Sequence, residues 1–260
     1  EYYGPIILVK RYIPNDAPDS EIFVPRSPYD ECVKYIAECY DKAAELLPET
    51  VIDTELGLPT RMSALSYKAR LLLYAASPLV NGNSDYVGFD NHDGTPLMNT
   101  TYDPEKWKKA MEAAAEAISV AEKFNSELGR QNFMLYTSAD SSLPNDERGR
   151  RNYRDAFTKE HWNGLEFIEA KGDRGGCQTL QQLMGPRPIA NNMSLGWKTT
   201  SVPTMEAVEM YYTKNGLPWE DDPETKDIDP YAYNAEAGTV NLHLYKEPRF
   251  YASVGYDRGT

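Results

Sequence analysis

Trp197 closes a loop-forming run, Pro186-Arg187-Pro188-Ile189-Ala190-Asn191-Asn192-Met193-Ser194-Leu195-Gly196-Trp197-Lys198, that brings an indole together with two amides and a cation. Those side-chain types in one loop suit a polyhydroxylated ring. The indole face covers C–H groups, and Asn191, Asn192 and Lys198 offer hydrogen bonds to hydroxyls. Trp162 and Trp219 are further indoles in loop-like surroundings with the same potential use. The competing reading is packing alone, in which each indole plugs its loop onto a helix and touches no ligand. The sequence leaves both open.

Other constellations carry less chemistry. Glu220-Asp221-Asp222, with Glu224, follows Trp219. A carboxylate pair can cleave a glycosidic bond when its members stand about 5–10 Å apart across a cleft. Neighbours in a proline-flanked loop are instead expected to be solvated charges. Asp90-Asn91-His92-Asp93-Gly94 crowds oxygen donors together, but Thr101 stands where a calcium loop would need another acid, so an Asx-rich turn is expected. None of His92, His161 and His243 has a metal-type partner four residues away. Cys177 follows Gly175-Gly176 with no nearby base to generate a thiolate. There is no nucleophile elbow, phosphate-binding loop or dinucleotide fingerprint. The expectation is a non-enzymatic protein with no catalytic residue, no metal and no cofactor.

Charge narrows the partners. The 260 residues hold 27 Lys and Arg against 40 Asp and Glu, a formal net charge of −13. That balance argues against nucleic acid and against electrostatic docking on an anionic membrane. The 19 tyrosines suit amphipathic ligands, although tyrosines also fill gaps between helices. Cys32 and Cys39 lie seven residues apart on one predicted helix, roughly 10 Å at 1.5 Å per residue, and so do not bridge each other. Neither a cytosolic nor a secreted bacterial setting is excluded. No apolar run spans a bilayer. The chain starts without methionine or signal peptide, and is expected to be a mature protein or an excised piece.

Three long helices must position whatever the loops bind. The first is predicted over 28–47, capped by Ser27, with the stripe Tyr29, Val33, Ile36, Tyr40, Ala43 and Leu47. The second begins after Thr60 and ends at Pro78, with Leu65, Ala69, Leu72, Ala76 and Leu79 on one face. The third covers 104–125, capped by Asp103, with Trp107, Ala110, Ala114, Ala117, Ala121 and Phe124 aligned. Alanine on facing stripes lets neighbouring helices approach closely. The second and third start roughly 44 residues apart, longer than the 34-residue tetratricopeptide period. A degenerate repeat and an ordinary bundle are both consistent with that spacing. Beyond residue 128 the pattern weakens. Residues 137–152 read as a polar surface excursion, 153–159 as a short helix, 166–170 as a strand and 172–200 as a long irregular loop. A fourth helix is predicted at 203–214, capped by Ser201, and a strand at 251–256. Residues 6–9 could be a short strand or packed extended chain. The class is mainly α with minor strands and long ordered loops.

Several motifs resemble one family, the SusD/RagB surface glycan-binding lipoproteins of the Bacteroidetes outer membrane. They are Pro25-Arg26-Ser27-Pro28-Tyr29-Asp30-Glu31, Ala43-Ala44-Glu45-Leu46-Leu47-Pro48, Ala69-Arg70-Leu71-Leu72-Leu73-Tyr74-Ala75-Ala76-Ser77-Pro78-Leu79 and Tyr102-Asp103-Pro104-Glu105-Lys106-Trp107. Pro203-Thr204-Met205-Glu206, Met210-Tyr211-Tyr212 and Pro248-Arg249-Phe250-Tyr251-Ala252-Ser253-Val254 follow in the same order. The resemblance implies a SusD-like helical fold with tetratricopeptide-type helix pairs. It implies one domain over 1–260, with a helical-repeat portion at 28–127 and a loop-rich, ligand-facing portion at 128–260. It also implies an oligosaccharide ligand, delivery to a TonB-dependent SusC-like transporter, and the outer face of the outer membrane as location. Family members are anchored by a lipidated N-terminal cysteine. This chain has neither that cysteine nor the family's usual first helices and C-terminal region, and is expected to be an internal fragment.

Overall fold

The computed structural model describes residues 4–51, 57–128, 134–137, 142–158, 166–168, 202–256 and 259. They fall into two compact units, Glu1–Phe133 with Phe167–Ala170, and Met134–Glu166 with Lys171–Thr260.

The first unit is built on α2 (Tyr29–Leu46), α3 (Arg61–Ala76) and α4 (Glu105–Leu128), preceded by a single turn, α1 (Asp19–Ile22). Thr60 starts α3 through a reciprocal box. Its hydroxyl accepts from Ser63 N–H at 3.3 Å, and Ser63 Oγ accepts from Thr60 N–H at 2.8 Å. Asp103 Oδ1 accepts from Glu105 N–H at 2.9 Å, which satisfies a donor at the start of α4. At α2 the cap is Pro28 rather than Ser27, and it makes no side-chain bond. Instead Tyr29 N–H donates to Leu97 O at 2.8 Å, and Ser27 N–H donates to Ile6 O at 2.8 Å. Residues 6–9 pair with no strand and pack as extended chain.

Helix α3 packs on both α2 and α4. That position explains why its stripe is wider than predicted: Met62, Ala64, Leu71 and Ala75 are buried as well as Leu65 and Ala76. Leu79 lies past the helix end and is exposed. On α4 the buried series is Ala110, Ala113, Ala117, Ala121 and Phe124. Ala113 takes the place predicted for Ala114, and Trp107 is exposed. Ala44, Ala64 and Ala117, one from each helix, meet in a cluster with Leu65, so methyl groups set the closest approach. Lys68 spans the stack, with Nζ 2.6 Å from Asp41 of α2 and 3.3 Å from Glu116 of α4. After α3, Gly82 has φ +79°, and a Cβ there would lie 2.8 Å from Tyr102 Cα, so only glycine fits without displacing backbone.

The second unit departs further from the sequence reading. Helix α5 runs Asn145–Thr158, covering the short helix expected at 153–159 as far as 158 and extending back through half of the stretch expected as a surface excursion. Glu147 holds Arg150 at 2.9 Å and Arg151 at 3.1 Å, three and four residues on, and these pairs support a helix with no hydrophobic stripe to announce it. Helix α6 is only Met205–Glu209, capped by Thr204, whose hydroxyl accepts from Ala207 N–H. It stops early because the chain beyond it is drawn into pairing: Lys214 N–H donates to Tyr245 O, Glu247 N–H donates to Tyr212 O, and Thr213 bridges Lys246. A short antiparallel hairpin pairs β1 (Tyr233–Asn234) with β2 (Thr239–Val240). The strand expected at 251–256 is instead α7 (Pro248–Ser253), which starts with proline at its first turn and buries Phe250 completely. Residues 166–168 form no strand, and 169–170 lie outside the described residues. The core here is Val208, Leu242 and Phe250, with Tyr211, Trp219, Tyr251 and Tyr256 packed around it.

Candidate functional site

Trp219 sits where α6, the 212–247 pairing and the Pro218–Pro230 loop meet. Its indole packs against the Val208–Leu242–Phe250 core, and Nε1 donates to Ile228 O at 3.2 Å. Tyr245 meets it edge-on, with centroids 5.9 Å apart. The indole is therefore held rigidly and only half-exposed, so much of its role is the plugging expected from packing alone.

Trp219 lines a groove of about 650 Å³ together with Tyr212, Tyr231, Glu206, Glu209, Glu220 and the buried Lys246. The groove has two open aromatics, Tyr212 at 47% and Tyr231 at 53% exposed, and the Tyr231 hydroxyl donates to Glu209 of α6. That contact raises the Tyr231 pKa and fixes the ring's orientation. Tyr231 N–H is itself fixed by Asp229 Oδ1 at 2.9 Å. Sequence reasoning missed Tyr231 because a tyrosine between Pro230 and Ala232 has no periodicity. The signal available was the loop-borne aromatic beside Asp229-Pro230, a turn-forming pair.

Lys246 is 2% exposed. Its Nζ donates to Tyr211 O at 2.7 Å and Glu209 O at 3.4 Å, and lies 5.8 Å from the Trp219 ring centre. Burial pushes its pKa down, while the fields of Glu209, Glu247 and Glu220 push it up. It ties α6 to the 245–247 segment.

The acidic cluster is divided by the fold. Asp222 is fully buried and accepts from Thr213 Oγ1 at 2.5 Å, Asn215 Nδ2 at 3.1 Å and Glu224 N–H at 2.9 Å. The Thr213 hydroxyl, first among these donors, holds the Asp222 carboxyl below its ordinary value. Glu224 pairs with Lys214 at 2.7 Å. Both acids staple a turn; Asp222 is closed to solvent, while Glu224 is exposed and held by Lys214. Asp90-Asn91-His92-Asp93-Gly94 is a hairpin turn in which Asp93 Oδ1 accepts from Thr95 N–H at 2.9 Å. Among the described residues no group of three or more His, Cys, Asp or Glu side chains is placed to hold a metal ion. Trp162, Asn191, Asn192, Trp197 and Lys198 lie outside the described residues.

No protein-family model matches the chain, and neither does any curated protein. Among solved structures, BT4246 matches with a TM-score of 0.74 and 30% identity, over 96% of this chain and 45% of that one. The selenomethionine form of BT4246 gives 0.70 and 27% over the same shares. The crystal structure of a SusD-like protein (BF3747) from Bacteroides fragilis NCTC 9343 gives 0.59 and 18%, over 96% and 38%. This chain thus spans less than half the length of each. The fold is mainly helical, and the groove is lined by α6 together with the loops that carry Tyr212, Trp219, Tyr231 and Lys246. More narrowly, the chain has a SusD-like fold over the part of that fold it spans. No described helix is long and apolar enough to cross a membrane.

Proposed function

We propose that the chain binds oligosaccharide without making or breaking bonds, and that it does so at the bacterial cell surface in the service of a TonB-dependent, SusC-like transporter. The observation that carries the reading is Tyr231, an exposed ring fixed by the Glu209 carboxylate in the groove that Trp219 also lines. A ring held this way presents a flat face for sugar C–H groups with little conformational entropy left to lose. Glu206 and Glu220 supply acceptors for hydroxyls at the same groove. Trp197, with Asn191, Asn192 and Lys198, and more distantly Trp162, remain part of the proposal on their chemistry. Affinity should fall in the micromolar to millimolar range, on the order of −4 to −8 kcal/mol, because open sites compete with water.

For the hydrolase alternative, Asp222 drops out as a candidate because its carboxylate is buried and hydrogen-bonded. A peptide ligand is the remaining rival. Titration of the chain against neutral oligosaccharides and against unstructured peptides separates the two. Saturable sugar binding that weakens in a Tyr231→Ala variant supports the proposal, and saturable peptide binding with no response to sugar overturns it.

A further inference from the structure

We infer that the Tyr231–Trp219 groove discriminates by charge, accepting neutral and amine-bearing sugars and turning away uronates and sulfated sugars. This rests on the glycan reading of the same groove and adds the class of glycan. The groove presents three carboxylates, Glu206, Glu209 and Glu220, and one cation, Lys246. A lysine lining a sugar site would ordinarily invite an anion. Here its ammonium is turned inward. It is 2% exposed, and its donors go to Tyr211 O at 2.7 Å and Glu209 O at 3.4 Å, with the Trp219 ring 5.8 Å away. Two of the ammonium's three donors go to those carbonyls, and burial closes the remainder of the group to solvent. An incoming carboxylate would have to break a buried bond to reach it.

The carboxylates have the opposite disposition. Glu206 and Glu220 are exposed, and neither side chain has a hydrogen bond or ion pair among the described residues. Glu209 already accepts from Tyr231, which leaves further lone pairs on its oxygens. Carboxylates with spare acceptor sites match adjacent hydroxyls, each of which donates, and match an amine still better. A uronate offers no donor at its carboxylate and brings like charge to charge.

The test uses the intact chain and an array of tetra- to hexasaccharides, each printed in its neutral form, as its C6-oxidised uronate, and as an amine-bearing counterpart where one exists. The neutral form should bind at least about tenfold more tightly than the matched uronate. A Glu206→Gln/Glu220→Gln variant should narrow that gap, because glutamine keeps an acceptor and removes the charge. Equal or tighter binding of the uronates, or a gap unchanged in the double variant, overturns the charge inference while leaving the glycan reading intact. Failure of every form to bind, or binding that Tyr231→Ala does not weaken, takes the glycan reading of this groove down and the inference with it.

Discussion

Asn81 and Asp103 hydrogen-bond each other twice, side chain to backbone: Asn81 Nδ2 donates to Asp103 O at 2.9 Å, and Asp103 N–H donates to Asn81 Oδ1 at 2.9 Å. The same amide nitrogen reaches Ala76 O at the end of α3, at 3.3 Å. One buried side chain therefore closes α3 and holds the residue that begins α4. Replacing it by alanine strands buried backbone groups on both sides. Asn81→Ala should destabilise the first unit by about 1–3 kcal/mol, read from the urea midpoint of a probe in that unit, while Asn83→Ala, at a half-buried position whose amide bonds locally, to Leu79 O and Asp85 N–H, should have a smaller effect.

Methyl contact at Ala44, Ala64 and Ala117 predicts intolerance of volume. Ala64→Leu should cost about 1–3 kcal/mol by forcing the helices apart. Ala69, only half-buried, should take leucine at less cost. Equal effects in thermal unfolding would mean that α3 is not pinned between its neighbours at Ala64.

Burial first, and then the Lys246 ammonium, hold the His243 imidazole below its ordinary value of 6.5. Its Nδ1 faces Thr239 Oγ1 at 2.8 Å, and Phe250 and Tyr256 flank the ring. Below pH 6.5 the unfolded chain takes up a proton here before the folded one does, so stability falls as pH drops toward the lower native value and is unaffected by this group above 6.5. Denaturation at pH 7.5 and at about pH 5.5 should show a loss for the native chain that is smaller in His243→Gln.

Tyr231 and Trp219 should separate binding from folding. Tyr231→Ala removes an exposed ring and should lower oligosaccharide affinity about tenfold, or about 1.4 kcal/mol, with little change in melting temperature. Trp219→Ala removes a core plug and should lower stability by about 2–4 kcal/mol. Calorimetry paired with thermal unfolding distinguishes them, and the assignment fails if Tyr231→Ala melts early and binds normally.

The helical scaffold could be read from the chain because its signals are local. Thr60 with Ser63, Asp103 before Pro104, and alanines at three- and four-residue steps each act within a few residues, where backbone geometry fixes who meets whom. The second unit withheld its form for the complementary reason. Residues 212–214 leave the helical path because Tyr245, Lys246 and Glu247, more than 30 positions later, offer hydrogen bonds that local propensity cannot foresee. The polar face of α5 hid a helix held by ion pairs, and the aromatic residues of α7 imitated a strand. The same distinction governs the groove. Its indole was visible as a loop aromatic, but the held ring of Tyr231 and the inward turn of Lys246 depend on partners 22 to 37 residues away, whereas Asp222 is held by Thr213, Asn215 and Glu224 close by in the chain. Composition decided that this protein would be acidic, helical and tyrosine-rich; only long-range packing decided how the Lys246 ammonium turns and which ring is held for a ligand.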